Sequence, residues 1–160
     1  MAMKRVDGET EAYWQRFLEA LPEDSHYHGC SYCAEKWGDY REMAEELGEL
    51  IAEGVKTAAC SSMWEWEAEG RPMPEVGMIT IVLDWNDDPL CIIETIEVDV
   101  KPYHQVDARF AYEEGEGDRT LEYWRKAHWK YFSRVLASMG KEPQEDMPLV
   151  CERFRVIYKE

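Results

Sequence analysis

The 160-residue sequence lacks a membrane-sized apolar run: no uninterrupted stretch approaches the roughly 18 residues a bilayer span needs. Its first ten residues, "MAMKRVDGET", lack the apolar core of a secretory signal. Together these absences predict a cytoplasmic protein with no membrane partner. Cysteine is also sparse and odd in number: five thiols scattered through ordinary globular sequence do not make a disulfide framework. Basic charge is short as well, with 18 Lys and Arg against 34 Asp and Glu, a formal net charge of −16. A field of that sign repels duplex DNA and other polyanions at long range, so an anionic ligand needs a local positive site.

One segment supplies it. Arg119, Arg125, Lys126, Lys130 and Arg134 fall within sixteen residues that hold a single acid, Glu122. The same stretch, "RTLEYWRKAHWKYFSR", interleaves these cations with Tyr123, Trp124, Trp129, Tyr131 and Phe132. Single-stranded nucleic acid uses that combination for phosphate neutralisation and base stacking. The competing reading is a core helix with a solvated cationic face. Helical spacing predicts an apolar stripe of Leu121, Trp124, His128, Tyr131, Val135 and Met139, with His128 a hydrogen-bonded core histidine rather than a catalyst. Trp129 lies off that stripe, beside Arg125 and Ser133, and is the better stacking candidate; Ser133 and Arg134 are placed to approach a phosphate.

At 45% hydrophobic content, with 12% aromatics, the chain can bury the core of one domain over residues 1–160, an N-terminal helix and loop (1–35) preceding the main core (36–160). "TEAYWQRFLEAL" reads as an amphipathic helix ended by Pro22. "GDYREMAEELGELIAEG" reads as a second, with Asp39 as N-cap, Glu42 in capping-box position and Gly54 as terminator. "MITIVLDWNDDPLCIIETIEVDVKPY" reads as a β-hairpin turning at Asn86–Pro89. A short helix in "QVDARFAY", a long one from Arg119 to Met139 capped by Asp118, and a final strand "LVCERFRVIY" complete the order α-α-β-β-β-α-α-β. Mixed order of this kind predicts an α+β fold.

Two strands break their own phase. Glu94 shares the apolar phase of Leu90, Ile92, Ile96, Val98 and Val100, and Glu152 shares that of Val150, Phe154, Val156 and Tyr158. Burying a lone carboxylate costs several kcal/mol unless it is paired or protonated. Either both glutamates turn outward or pair with Arg153, Arg155 or Lys56, or they line a polar pocket with Lys56 in which proton transfer is tuned. Lys56 itself runs into a row of small residues, Thr57, Ala58, Ala59, Cys60, Ser61 and Ser62, which suits a strand whose backbone closely approaches a ligand or helix.

"HYHGCSYC" brings His26, His28, Cys30 and Cys33 within eight residues, chemically suitable zinc ligands. A single short loop rarely wraps a tetrahedral ion, so an ordinary surface loop is the favoured reading.

In order along the chain, "KWGDYREMAEELGELIAEGVKTAAC", "VGMITIVLDW", "VDARFAYEEGEGDRTLEYWRKAHWKYFSR" and "EDMPLVCERFRVIY" resemble a bacterial ASCH-domain protein of the longer subfamily, over roughly residues 36–158. The resemblance implies a PUA-like fold, a small mixed β-barrel flanked by helices, and a cleft for RNA or a nucleoside. Within that superfamily some members resemble amidohydrolases of acetylated cytidine and others single-strand ribonucleases. Carried over by position, the lysine of the family's lysine-threonine motif falls on Lys56 beside Thr57, and its acid on Glu114, as general acid or base. The amidohydrolase nucleophile position holds Ala59, and a methyl group cannot attack a carbonyl. Met78 stands where the family usually has aspartate. Cys60, Ser61 or an activated water are the substitutes for the missing nucleophile. Two functions are therefore expected: a hydrolase on single-stranded RNA or a modified nucleoside, for which a divalent metal such as Mn²⁺ is kept open as cofactor, or a non-catalytic binding module for the same ligands.

Overall fold

A computed structural model describes residues 7–160. It comprises α1 (Gly8–Glu19), β1 (Cys33–Lys36), α2 (Arg41–Ala52), β2 (Ala58–Ser62), α3 (Met63–Glu69), β3 (Ile79–Leu83), β4 (Pro89–Pro102), α4 (Ala108–Glu114), α5 (Leu121–Ala137) and β5 (Pro148–Tyr158). Single 3₁₀ turns lie at His26–Gly29 and Tyr103–Gln105. The strands form one five-stranded mixed sheet in the order β1-β3-β4-β5-β2, with β1 parallel to β3 and the β3/β4 and β2/β5 pairs antiparallel. This is the expected α+β fold, with β1 and α3 added. Four and seven residues are too short to show a period. For α3 the local signal is a capping box instead: Ser62 accepts from the Trp64 amide, and Glu65 accepts from the Ser62 amide. Among the described residues no helix is long and apolar enough to cross a membrane.

The chain divides into two compact units, and β4 and β5 each contribute to both. The first unit takes the described residues up to Gly54, with Gly77–Thr95 and Arg155–Glu160. Its core gathers Tyr13, Trp14 and Phe17 from one face of α1 against Ala34, Ile79, Ile81, Leu83 and Ile92. Asp7 caps α1 through the Thr10 amide. The predicted Asp39 cap of α2 is not formed; Tyr40 occupies the N-cap with no side-chain cap bond. The β3/β4 turn is held by Asp84, whose carboxylate accepts from the Asn86 and Asp88 amides at 2.8 and 2.9 Å.

The second unit takes Val55–Val76 and Ile96–Phe154. Its core packs Phe110 and Ala111 of α4 and Trp124, Phe132 and Leu136 of α5 against Ala58, Met147, Leu149 and Cys151. Thr120, not Asp118, caps α5; the Asp118 carboxylate instead accepts from the Thr120 amide and hydroxyl, fixing the cap from behind. The buried row of α5 runs Trp124, His128, Phe132, Leu136, every fourth residue, so the expected stripe through Tyr131, Val135 and Met139 is rotated. Consequently Arg125 and Trp129, and Lys126 and Lys130, also four apart, form parallel rows beside the buried one.

The strand phases resolve differently for the two glutamates. The first half of β4 is buried on both faces (Cys91, Ile92, Ile93), whereas Ile96 and Val100 are exposed, so the phase in which Glu94 was an intruder does not exist. Glu94 pairs with Arg155 at 2.7 Å and accepts from the Tyr27 hydroxyl at 3.1 Å, the structural pairing named above as its alternative to a pocket. Glu152 is buried as its phase predicts, in register opposite Ala59.

Phe132→Ala is expected to cost about 3–5 kcal/mol in denaturant unfolding, the range for deleting a buried phenyl ring. Met139→Ala is expected to cost markedly less. Equal costs would mean that α5 presents the other face.

Candidate functional site

The site is assembled where the entry to β2 meets the end of α4, both within the second unit. The Glu113 carbonyl accepts from the Thr57 amide at 2.8 Å and from its hydroxyl at 3.3 Å, and the Thr57 carbonyl accepts from the Phe154 amide. Gly115 follows α4 in the left-handed region, φ 72°, and a Cβ there would stand 2.7 Å from the Val55 carbonyl oxygen and 3.0 Å from Lys56 Cα. Only glycine permits so close a crossing. The crossing places Lys56 and Glu114 side by side.

Both are buried, at 3% and 0% exposure. Lys56 Nζ donates to Glu116 Oε2 at 2.9 Å and to the Glu114 carbonyl at 3.3 Å, and stands 3.8 Å from Glu114 Oε1. Glu114 Oε2 accepts from the Trp124 indole at 2.6 Å and from His128 Nε2 at 2.7 Å. The imidazole stacks on Trp124, centroids 4.3 Å apart, and its Nδ1 lies 2.9 Å from the Trp124 carbonyl. A carbonyl can only accept, so Nδ1 carries a proton; with a carboxylate at Nε2, both nitrogens donate and the ring is an imidazolium.

Electrostatics agree with that assignment. Burial opposes the charge on Glu114, but the cations of His128 and Lys56 and the two hydrogen bonds overcome it, holding the carboxyl below the ordinary range. Burial likewise opposes the charges on Lys56 and His128, and the facing carboxylates overcome it, raising both. Cys60, also in this cluster, is pushed well above the usual thiol value by burial and by Glu114. It is a neutral thiol at neutral pH, not a ready nucleophile.

The other predicted residues fall in several places. Ser61 accepts from the Trp66 indole at 2.7 Å. Ser133 donates back to the Trp129 carbonyl, and the Arg134 guanidinium lies 5.5 Å from the Tyr131 ring centroid. The loop candidates separate: His28 Nε2 engages the Pro22 carbonyl, the Cys30 thiol the His26 carbonyl, and Cys33 sits on β1. Among the described residues the one group of three such ligands whose atoms converge is Cys60, Glu114 and His128. Sequence reasoning missed Glu116 and the indole of Trp124 as partners of the pair. The signal for Glu116 was the glycine-spaced "EEGEGD", which turns the chain twice at positive φ, at Gly115 and Gly117.

Arg125 and Trp129 line a cleft of about 660 Å³ with Lys126, Lys130, Tyr103, His104 and Glu145. Tyr103 connects it to the buried cluster, its ring centroid 5.4 Å from that of Trp124 and 5.3 Å from that of Trp129. Among the described residues neither Arg125 nor Lys130 has an ion-pair partner, and the Lys126–Glu122 pair at 3.2 Å is exposed and therefore weak. Among the described residues the cleft thus offers free cations beside an indole.

Breaking one partner of a buried pair is expected to cost about 3–5 kcal/mol, so Glu114→Gln and Lys56→Met are both expected to be strongly destabilising. The double variant is expected to show a coupling of about 0.5–3 kcal/mol in a double-mutant cycle; additive costs would mean the two groups do not sense each other. Gly115→Ala is expected to cost more than Gly70→Ala. Both place a side chain at positive φ, worth about 1–2 kcal/mol, but a Cβ at Gly70 meets nothing within 4 Å. Equal losses would show that the crossing is not tight.

Comparison with known proteins agrees with the geometry. The family model described as ASCH domain matches residues 34–158. A crystal structure of an ASCH domain from Lactobacillus crispatus JV V101 is 33% identical, with a TM-score of 0.88 over 97% of this chain and 98% of that one. A protein from Enterococcus faecalis V583 is 35% identical, with a TM-score of 0.79 over 92% of this chain and 86% of that one. No curated protein matches significantly. With a family model spanning most of its length and a solved ASCH domain superposing on nearly all of it, this chain belongs to the ASCH-domain family, with the PUA-like α+β fold.

Proposed function

We propose that the protein is a binding module for single-stranded RNA or a nucleotide-sized piece of it, held in the α5 cleft. The observation that carries this reading is the juxtaposition of Trp129 with two cations, Arg125 and Lys130, that have no ion-pair partner among the described residues, in one cleft of a chain whose net charge is −16. A base stacks on the indole while the cations neutralise the adjoining phosphates. The rest of the acidic surface disfavours duplex DNA, whose charge density is higher and whose bases are unavailable for stacking.

Binding is favoured over hydrolysis by the chemistry beside Lys56. The nucleophile position is a buried methyl, Ala59; the neighbouring thiol is neutral; and the Ser61 hydroxyl is engaged by Trp66. Glu114 is enclosed by Trp124, His128 and Lys56, an arrangement suited to orienting α4, α5 and β2 about one point.

Fluorescence anisotropy with a short labelled single-stranded RNA tests the reading. Affinity is expected to fall with salt, and Lys130→Ala or Arg125→Ala to lower the slope of log K against log[salt] by about 0.7 each. Trp129→Ala is expected to cost about 1–3 kcal/mol of binding. Unchanged affinity in all three variants would overturn the cleft assignment. Turnover of RNA or acetylated cytidine that disappears in Glu114→Gln, under conditions where circular dichroism shows that variant folded, would replace the binding module by a hydrolase.

A further inference from the structure

Among the described residues nothing donates a hydrogen bond to the buried Glu114 Oε1, while its twin Oε2 accepts two. A buried acceptor without a donor costs about 1–3 kcal/mol, more when charged. The Lys56 ammonium 3.8 Å away lies beyond hydrogen-bond reach and is already committed to Glu116 and to the Glu114 carbonyl. Beside this carboxylate stand two further metal-binding groups, and one ligand atom each of Cys60, Glu114 and His128 all lie within 4.8 Å of one another.

We propose that Cys60 Sγ, Glu114 Oε1 and His128 Nε2 form a binding site for a zinc-type divalent cation, with water as fourth ligand. The donor set selects the metal. Thiolate with imidazole and one carboxylate suits zinc or cobalt, whereas Mn²⁺ and Mg²⁺ prefer oxygen ligands throughout. The surroundings are those of a ligand shell. The Trp124 carbonyl accepts a hydrogen bond from Nδ1 of His128, which directs Nε2 inward. The Trp124 indole holds Oε2, which leaves Oε1 for the ion. Bond lengths of 2.0–2.3 Å require ligand atoms roughly 3.3–3.7 Å apart. The site therefore closes by side-chain rotation, His128 Nε2 exchanging Glu114 Oε2 for the metal. Cys60 lies on β2, the terminal strand of the sheet among the described residues, and is partly exposed, which provides the route of entry.

Charge balance permits the exchange. Without metal, the cations Lys56 and His128 offset the anions Glu114 and Glu116. With metal, the dication and Lys56 offset the Cys60 thiolate and the same two carboxylates, His128 being neutral. Two protons leave, one from the thiol and one from the imidazolium, and the buried cluster stays neutral in both states. Lys56 opposes the dication electrostatically, and Glu116, at 2.9 Å from its ammonium, is the group that offsets it. The cluster and the proposed RNA cleft lie on neighbouring rows of α5, and the metal assignment does not rest on the RNA reading.

The test uses the full chain, stripped with a chelator and titrated with Co²⁺. One equivalent is expected to bind with a thiolate-to-cobalt charge-transfer band and tetrahedral d–d bands, and Zn²⁺ to displace it. Cys60→Ser, which exchanges one atom and should keep the fold as read by circular dichroism, is expected to abolish the charge-transfer band and weaken binding roughly tenfold or more. His128→Gln is expected to weaken it similarly, while Cys30→Ser and Cys33→Ser leave the band intact. Absence of a stoichiometric band would overturn the site. So would a band that survives Cys60→Ser, or one that vanishes with the two loop cysteines.

Discussion

The second unit is organised around one buried ion pair, Lys56 with Glu114. Each ion, taken out of water, costs several kcal/mol, and the cost is met only where geometry and additional hydrogen bonds are supplied together. Here the supply comes from four directions: Glu116 and the Glu114 carbonyl for the ammonium, and Trp124 and His128 for the carboxylate. None of these can be provided unless α4 crosses the chain entering β2 at van der Waals distance, which is what Gly115 allows. The interaction therefore acts as a geometric specification for the end of α4 and the face of α5, more than as a net source of stability.

Helix α5 carries two chemistries on adjacent rows. Its buried row delivers Trp124 and His128 to the carboxylate, and the rows beside it deliver Arg125, Trp129, Lys126 and Lys130 to the cleft. Tyr103 touches both tryptophans, and its hydroxyl donates to the Arg125 carbonyl at 2.8 Å. The helix that forms the proposed RNA surface is thus held in rotation by the buried cluster: if its buried row slipped by one residue, Trp129 would leave the cleft. The relationship explains how charged groups largely withdrawn from solvent can bear on a surface that meets it.

Much of the site was readable because short motifs impose local chemistry. Lys56 and Glu114 were carried over from the family resemblance, and the structure brings them to 3.8 Å. Arg125 and Trp129 followed from spacing on a helix, and they share a cleft. His128 was read as a hydrogen-bonded core histidine, and it is hydrogen-bonded through both nitrogens. The phase of Glu94 could not choose between its two readings because alternation assumes one buried face, while the first half of β4 is covered on both; Glu94 is therefore decided by Arg155 and Tyr27, neighbours distant in sequence. The rotation of α5 was missed because its aromatics leave two stripes nearly equal in hydrophobicity, and only contact with Phe110 and Met147 in the common core chooses between them.

By itself the sequence determined the α+β class, the family, the hairpin, the long cationic helix and the inert methyl side chain of Ala59, since each of these is written in local pattern, turn chemistry or a residue's own functional groups. Tertiary structure alone decided that Glu116 rather than Glu152 answers Lys56, that His128 is a cation, and that Cys60 joins it at the same carboxylate. These outcomes depend on side chains up to about seventy positions apart meeting in a volume that excludes water. In such a volume a charge is set by its neighbours, and no periodicity along the chain records which neighbours those will be.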